Sequence, residues 1–432
     1  MLRWILYSLV GFVVLVLVSV EVVLDHQPFI TELGAPTPED VQYTRGFVEH
    51  IRAVTEGRAE ADEVVVITEA EANSLMRVGT RMLPRGSGRV TLTDEVVWVE
   101  GSLQVPWPLG SRWINVAAAV VPFKDQLSLN HLIVGGIRLP PDLALDIGRF
   151  GANVLSGKQL GSIILGAASE MLIENDAMVF SLALSPDDRG DALDGIFGVL
   201  RGGEMPSSDL FVEYYVALRD SMETGELPQT GSFAPYIRYA LQAALDGDED
   251  VLLADRYTAS MLALTWACGS VHTVMSIGRL GAVPDESEQG WKNTCNRLTF
   301  HGREDLRRHF ITAAAIQAIS NRGVSVSAGE FKELLDSIGS GRHSGFDFTD
   351  IVANNSGIRL SNRMMATSAD QWPKLLELIQ TDADLVTSLD GIPERMPREE
   401  FERQYGDVDS DEYAEMIERI EARIGRLPLH AL

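Results

Sequence analysis

The sequence predicts an α+β protein with an N-terminal transmembrane helix, an antiparallel-sheet domain with flanking helices, and then a mostly α-helical domain. Three observations predict it. Trp4 to Leu24 is an apolar run whose only charge is Glu21. Between residues 63 and 187 several short runs alternate apolar and polar positions, the period of a half-buried strand. From about residue 190 onward the apolar positions recur every three or four residues, the period of an amphipathic helix.

The first element reads WILYSLVGFVVLVLVSVEVVL. As a helix it would cover about 30 Å, the hydrocarbon thickness of a bilayer. A cleaved secretory signal would be shorter and would end in small residues, whereas this run exits through VVLDHQPFI, so it reads as an uncleaved anchor. Arg3 lies before it, and Asp25, Glu32, Glu39 and Asp40 lie after it. The positive-inside rule then puts the N-terminus in the cytoplasm. The expectation is a single-pass protein of a bacterial inner membrane with its bulk in the periplasm, so 1–24 is the anchor and the membrane the first partner.

Residues 25–62 read as a stalk and one polar helix, PTPEDVQYTRGFVEHIRAVTEG, ending at Gly57. After a strand-like VVVI, Thr68 and Glu71 have the spacing of a capping box, which predicts a helix with Ala72, Leu75 and Met76 inward. GRVTLTDEVVWVEGSLQV, SRWINVAAAVVPF and QLSLNHLIVGGIRLP read as strands. Pro140-Pro141 opens a helix, a second helix is expected over 159–173, and AMVFSLAL (177–184) closes the domain as a strand. The segment 63–187 is thus one α+β domain with a curved antiparallel sheet. Trp98, Trp107 and Trp113 gather near strand ends, as groove lining or as core.

The remainder, 188–432, is helical. The stretch around Met261–Met275 is interrupted by Cys268, Gly269 and His272, and reads as a buried helix. The tail over 409–425 is a helix capped by Asp409, with Tyr413, Met416, Ile417, Ile420 and Ile424 on one stripe.

Composition narrows the function classes. The chain has 432 residues, enough for two or three domains, and 36 basic against 62 acidic side chains give a net charge of −26. Nucleic acid and anionic lipid both need basic patches, so neither is an expected partner. The only cysteines, Cys268 and Cys295, have no metal-binding spacing. In an oxidising compartment they read as a disulfide, with two buried thiols as the alternative.

One stretch, 300–362, concentrates polar residues where helix geometry collects them. Asp305 and His309 are four apart on one helix, Glu333 and Asp336 three apart on a second opened by Ser327, and Asp350 and Asn354 four apart on a third capped near Asp347. A Gly-rich loop carrying Arg342 and His343 joins the last two. Three packed helices would bring these pairs together. His309 with a carboxylate behind it suits a general base, with Asp305 or Glu333 fixing its tautomer. The same set suits a divalent cation, though no particular metal or other cofactor is specified. A buried polar network that locks helix packing is the third reading. His301, near Gly302, is a further imidazole that could approach His309, while His272 reads as a core histidine.

Two resemblances rest on these motifs. TEAEANSLM after a strand, together with IVGGIRLPPDL, resembles envelope proteins of the YpmS and LmeA type, which implies a sheet wrapped around a lipid-holding groove. The C-terminal stretch resembles YfiM-type lipoproteins, whose pattern is D-K-x-x-H-F, then G-x-x-K-E-x-x-D-S, then G-F-S-x-x-D-L-x-x-D-x-x-G. Here Asp305, His309 and Phe310 match the first part, Gly329, Lys332, Glu333, Asp336 and Ser337 the second, and Gly345 to Gly357 span the third. Leu306 stands where that pattern has Lys, and Asn354 where it has the second Asp. More distantly it is similar to VanZ-like membrane proteins, through Gly341-Arg342, Asp350, Asn354 and Gly357. The resemblance implies a shared site but names no substrate. Two functions follow as expectations: an envelope protein that binds lipid or an envelope partner, or an envelope hydrolase or transferase acting on a lipid-linked substrate or cell-wall glycan through His309, Glu333 and Asp350, with Asp336 and Asp305 beside them.

Overall fold

The computed structural model describes residues 23–31, 34–55, 64–83, 85–107, 110–156, 159–182, 205–270, 294–339 and 345–431. The chain divides into two compact units, Met1–Ile196 and Phe197–Leu432.

In the N-terminal unit the alternating runs become strands. β3 (Gly86–Leu92), β4 (Val97–Trp107), β5 (Gly110–Val121), β7 (Ser128–Val134) and β8 (Ile137–Leu139) pair in that order. All of these pairs are antiparallel, and β1 (Leu24–Asp25) adds to β5 to make six strands. A four-stranded sheet has the order β2 (Val64–Thr68), β10 (Ala177–Leu182), β9 (Ala168–Glu174), β6 (Phe123–Lys124). The core joins both sheets: Val65, Ile67, Phe123, Met171 and Met178 pack with Val90 and Val97, and with Ala72 from the helix after β2. Burying each of the larger side chains stabilises by roughly 1.5–3 kcal/mol. One expected helix is instead split. Residues 160–167 are helical, but Ala168–Glu174 is β9, because Glu170 to Glu174 pair residue by residue with Ser181 to Ala177 of β10.

Among the described residues, four helices accompany the sheets: α1 (Pro38–Thr55), α2 (Glu69–Arg81), α3 (Pro141–Ser156) and α4 (Leu160–Ala167). The capping box forms as its spacing predicts, with Glu71 N donating to Thr68 Oγ1 (3.3 Å) and Thr68 N donating to Glu71 Oε2 (2.8 Å). Asp40 is buried where α1 meets α2. It accepts from Thr37 N (2.9 Å), Ser74 Oγ (2.5 Å) and Arg77 Nε (2.9 Å). Burial alone would push its carboxyl up, but Arg77, Ser74 and Thr37 together hold it well below the usual carboxylate range. A carboxyl depressed in the folded state adds stability above its unfolded pKa, near 3.9, and that stability is lost as pH falls through the folded value. Asp40→Asn is therefore expected to cost this unit about 3 kcal/mol at neutral pH, since it strands Arg77 beside a neutral group. The cost should shrink in acid, as read by urea unfolding at pH 7 and pH 3.

The expected N-terminal transmembrane helix is corrected here. No helix among the described residues is long and apolar enough to cross a membrane. Leu24, the last residue of the expected span, is in a strand opposite Ile114, and the run up to residue 22 lies outside the described residues. The backbone here finds its hydrogen bonds on the sheet. Asn115, fully buried, accepts from Phe29 N (3.0 Å) and donates to Asp25 Oδ2 (2.8 Å) and Gln27 O (2.9 Å). The single-pass, inner-membrane and periplasmic placement inferred from that helix falls with it. The start of the expected stalk is likewise held against the sheet.

The C-terminal unit is built on long helices: α5 (Ser208–Glu223), α6 (Ala234–Asp246), α7 (Leu253–Cys268), α8 (Glu304–Ile319), α9 (Arg322–Ser337), α10 (Phe348–Ala366) and α11 (Asp411–Ile424). α7 is buried around most of its circumference; of the buried helix expected around Met261–Met275 the part up to Cys268 forms, and residues 271–275 lie outside the described residues. Cys268, its last residue, is disulfide-bonded to Cys295 with the Cα atoms 5.2 Å apart. Closing that loop stabilises by about 3–4 kcal/mol in the chain-entropy model. α8 and α10 run parallel in close contact, with Phe310, Ala314 and Gln317 meeting Gly357, Ser361 and Asn362 in turn, and α9 packs against both. Tyr257 ties this core together: its hydroxyl meets Ser361 Oγ at 2.6 Å, and Ser361 Oγ donates to Ala314 O at 2.7 Å. α11 is capped by Ser410, one residue after the expected cap, its Oγ accepting from Tyr413 N (3.1 Å). It buries Tyr413, Met416, Ile420 and Ile424. Tyr413 donates to Glu330 Oε1 of α9 at 3.0 Å, so the tail braces the helix that carries Glu333.

Candidate functional site

Three helices place the site. α8 begins after a left-handed turn at His301 and Gly302 (φ 49° and 77°). α10 begins where Asp347 caps it, its Oδ1 accepting from Thr349 N at 2.8 Å. Phe346, Phe348, Phe401, Tyr405 and Tyr413 pack as one aromatic cluster around that cap, with Phe346 and Phe401 stacked at 4.1 Å. α9 begins at Arg322, capped by Asn321, earlier than the expected Ser327, and lays Gly329 and Glu333 toward α10. A Cβ at Gly329 would lie 2.6 Å from Asn354 Nδ2, so glycine is what lets the Asn354 amide fit there.

His309 Nε2 lies 3.0 Å from Asp350 Oδ2, and its Nδ1 lies 3.1 Å from Asn354 Oδ1. Glu333 is fully buried, at 0% exposure. Its Oε2 accepts from Asp347 N (3.1 Å) and its Oε1 from Lys332 Nζ (3.2 Å). The Lys332 ammonium also reaches Asp336 Oδ2 (2.7 Å) and Asp350 Oδ2 (3.6 Å). Arg303 closes the other side. Its guanidinium pairs with Asp305 (2.7 Å), Asp347 (3.2 Å), Asp350 Oδ1 (3.2 Å) and Glu394 (3.1 Å). All five residues singled out from the sequence, His309, Glu333, Asp336, Asp350 and Asp305, thus belong to one network. His309, Glu333 and Asp350 form its buried centre, and Asp336 and Lys332 form its half-exposed rim. Asp305 does not face His309 as a tautomer partner. It is held by Arg303, and Asp350 takes the place beside the imidazole.

Burial and charge oppose each other at every member. Burial lifts Glu333, the Asp350 charge lifts it further, and Lys332 and His309 recover only part, so its carboxyl sits above the usual range. Burial also lifts Asp350, but His309, its hydrogen bond, Lys332 and Arg303 outweigh it and hold that carboxyl low. Burial would lower His309, yet Asp350 beside it raises the imidazole above its ordinary value. Lys332 is raised in the same way: Glu333, Asp350 and Asp336 overcome its desolvation.

The centre also has the donor set of a cation site. His309, Glu333 and Asp350 each offer a ligand atom, and these atoms lie within 4.8 Å of one another. The other atom of each side chain is already engaged: Nδ1 of His309 with Asn354, Oε2 of Glu333 with Asp347 N, and Oδ1 of Asp350 with Arg303. Asn354 Nδ2 is buried and has no hydrogen-bond partner among the described residues.

Sequence spacing missed the two cations, Arg303 and Lys332, as members of the centre. A signal was present for Lys332, which adjoins Glu333, since buried carboxylates need a paired charge; Arg307 is as near to Asp305 as Arg303 is, so spacing did not single Arg303 out. His301 turns away from His309, and its Nε2 meets Val386 O at 2.9 Å. Arg342, His343 and His272 lie outside the described residues. Of the tryptophans, Trp98 packs edge-on against His131 at 5.1 Å. No family model matches the chain, no curated protein matches it, and no solved structure matches it.

Proposed function

We propose that the C-terminal unit carries a divalent-cation centre serving hydrolysis or group transfer, with His309, Glu333 and Asp350 as its protein ligands. One observation carries this reading: three donors converge, and each has its second atom held by a separate partner. Outer partners of this kind fix the orientation of metal ligands. An Nδ1 proton donated to Asn354 Oδ1 aims Nε2 at the Asp350 carboxylate, where a bound ion would replace the direct 3.0 Å contact between the two. A mixed nitrogen and oxygen donor set of this charge suits ions such as Mn²⁺ or Zn²⁺. A bound cation would polarise a substrate oxygen or acidify a water. The half-exposed Lys332 and Asp336 mark the side from which an ion and a substrate would enter. The match of Asp305, His309, Lys332, Glu333 and Asp336 to the YfiM-type pattern supports the reading.

A second reading has its own observation. With Lys332 in place, every nitrogen and oxygen of His309, Glu333 and Asp350 has a partner. Such a satisfied network can act as a lock on helix packing, in a protein that binds lipid or a partner instead of catalysing. Calorimetric titration of the full chain with Mn²⁺ and Zn²⁺ separates the two. The cation centre predicts one-site binding that His309→Gln abolishes. Absence of binding to either ion leaves the lock standing.

A further inference from the structure

α3 is an amphipathic helix turned inside out. Leu143, Ile147, Phe150 and Val154 follow one another at four-, three- and four-residue steps, so they share one narrow face. That face is bare: the four are 48%, 48%, 69% and 62% exposed, and Ile164 on α4 is 49% exposed. The side of α3 that meets the protein is the small and polar one. Asn153 Oδ1 accepts from Gly161 N (2.8 Å) and Ser162 N (3.2 Å), capping the start of α4. A Cβ at Gly161 would lie 2.4 Å from Arg149 O, so the two helices touch through backbone. Ala144 is the buried residue that seats α3. The outward stripe is thus left over after α3 has made its contacts within the unit, and an exposed apolar stripe of this length marks a docking surface.

We propose that this stripe docks on a lipid bilayer of neutral headgroups. Two observations on the molecule select that occupant. The first is area. The stripe offers roughly 500 Å² from the exposures given above, within the range of functional surface patches. That is short of the roughly 800 Å² per partner of a stable protein interface. The second is charge. Asp142, Asp146 and Arg149 are the only charged residues of α3, which gives anionic headgroups nothing to hold. At 16 residues α3 is too short to span, so it lies along the surface with its stripe down.

The test uses the full chain with one added cysteine carrying an environment-sensitive fluorophore. Cys268 and Cys295 are bridged, so the label is specific. Phe150→Cys and Val154→Cys place it on the stripe. Gly148→Cys places it on another face of the same helix, where an added Cβ meets nothing within 4 Å. With phosphatidylcholine vesicles, the labels at 150 and 154 should shift to the blue and be quenched by nitroxide-bearing lipid, while the label at 148 stays in water. Comparing labels on one helix separates stripe insertion from vesicle capture by any other part of the chain. Three outcomes overturn the proposal. Labels at 150 and 154 could behave like the one at 148. They could already be blue-shifted without vesicles, which places a second copy or the N-terminal run on the stripe. The shift could also demand phosphatidylglycerol.

Discussion

Gly357→Ala is expected to destabilise the C-terminal unit by about 3 kcal/mol or more, the upper range for overpacking a tight contact. A Cβ at this position would lie 2.1 Å from Phe310 O, 3.0 Å from Phe310 C and 3.1 Å from Ala314 N. Those atoms are backbone of α8, so no side chain can rotate away and the helices must separate. Alanine's better helix propensity returns about 1 kcal/mol, which the clash outweighs. Gly151→Ala is the matched control, because that glycine is also helical and an added Cβ there meets nothing within 4 Å. It should be neutral or stabilising by up to about 1 kcal/mol. Urea unfolding of both variants reads the contrast. A Gly357→Ala midpoint equal to the wild type would show that α8 and α10 are not in backbone contact. The same substitution should weaken cation binding, because pushing α10 outward lengthens the 3.0 Å approach of Asp350 to His309.

That close pairing explains how much of the site was legible. Asp305 and His309, Glu333 and Asp336, and Asp350 and Asn354 could be assigned to helix faces because side chains three or four apart share a face. The capping chemistry of Thr68 and Asp347 was local and equally readable. What each polar face would meet was not local. His309 could have leaned on Asp305 one turn away. The packing of α10 on α8 gives it Asp350 and Asn354 instead, while Arg303 takes Asp305. Lys332 gave a similar ambiguity, since a lysine on a helix surface is usually solvated and nothing in its spacing shows that it bends over three carboxylates. In the N-terminal unit, the sequence over 159–173 fits a helix. Short apolar runs fit both periods, and only the pairing of β9 with β10 decides it. The exit of the apolar N-terminal run misled for the same reason: Leu24 continues an apolar pattern but finds a strand partner in Ile114.

Lys332 decides between the two readings of the centre, and Lys332→Met is expected to separate them. In the present arrangement its ammonium is the cation that lies against Glu333, Asp350 and Asp336, at 3.2, 3.6 and 2.7 Å. Removing it leaves Glu333 and Asp350 with less compensating charge. Lys332 is about half exposed, so water can screen part of the loss, and the metal-free variant should be destabilised by about 2 kcal/mol, below the cost of breaking a sealed pair. If the centre holds a divalent ion, ion and ammonium compete for the same oxygens. The variant should then bind Mn²⁺ at least about tenfold more tightly, a gain of about 1.4 kcal/mol. Saturating Mn²⁺ should restore its melting temperature to the wild-type value or above, because a ligand that binds the folded state alone stabilises it by mass action. Glu333→Gln in the same background should remove both the binding and the rescue while leaving the lysine absent, which rules out a general ionic effect of the salt. A lock predicts the opposite pattern: Lys332→Met destabilises to a similar degree, and Mn²⁺ restores nothing at any concentration. The comparison needs no knowledge of the substrate, since it reads only whether the positive charge that the carboxylates require can be supplied by an ion in place of the lysine.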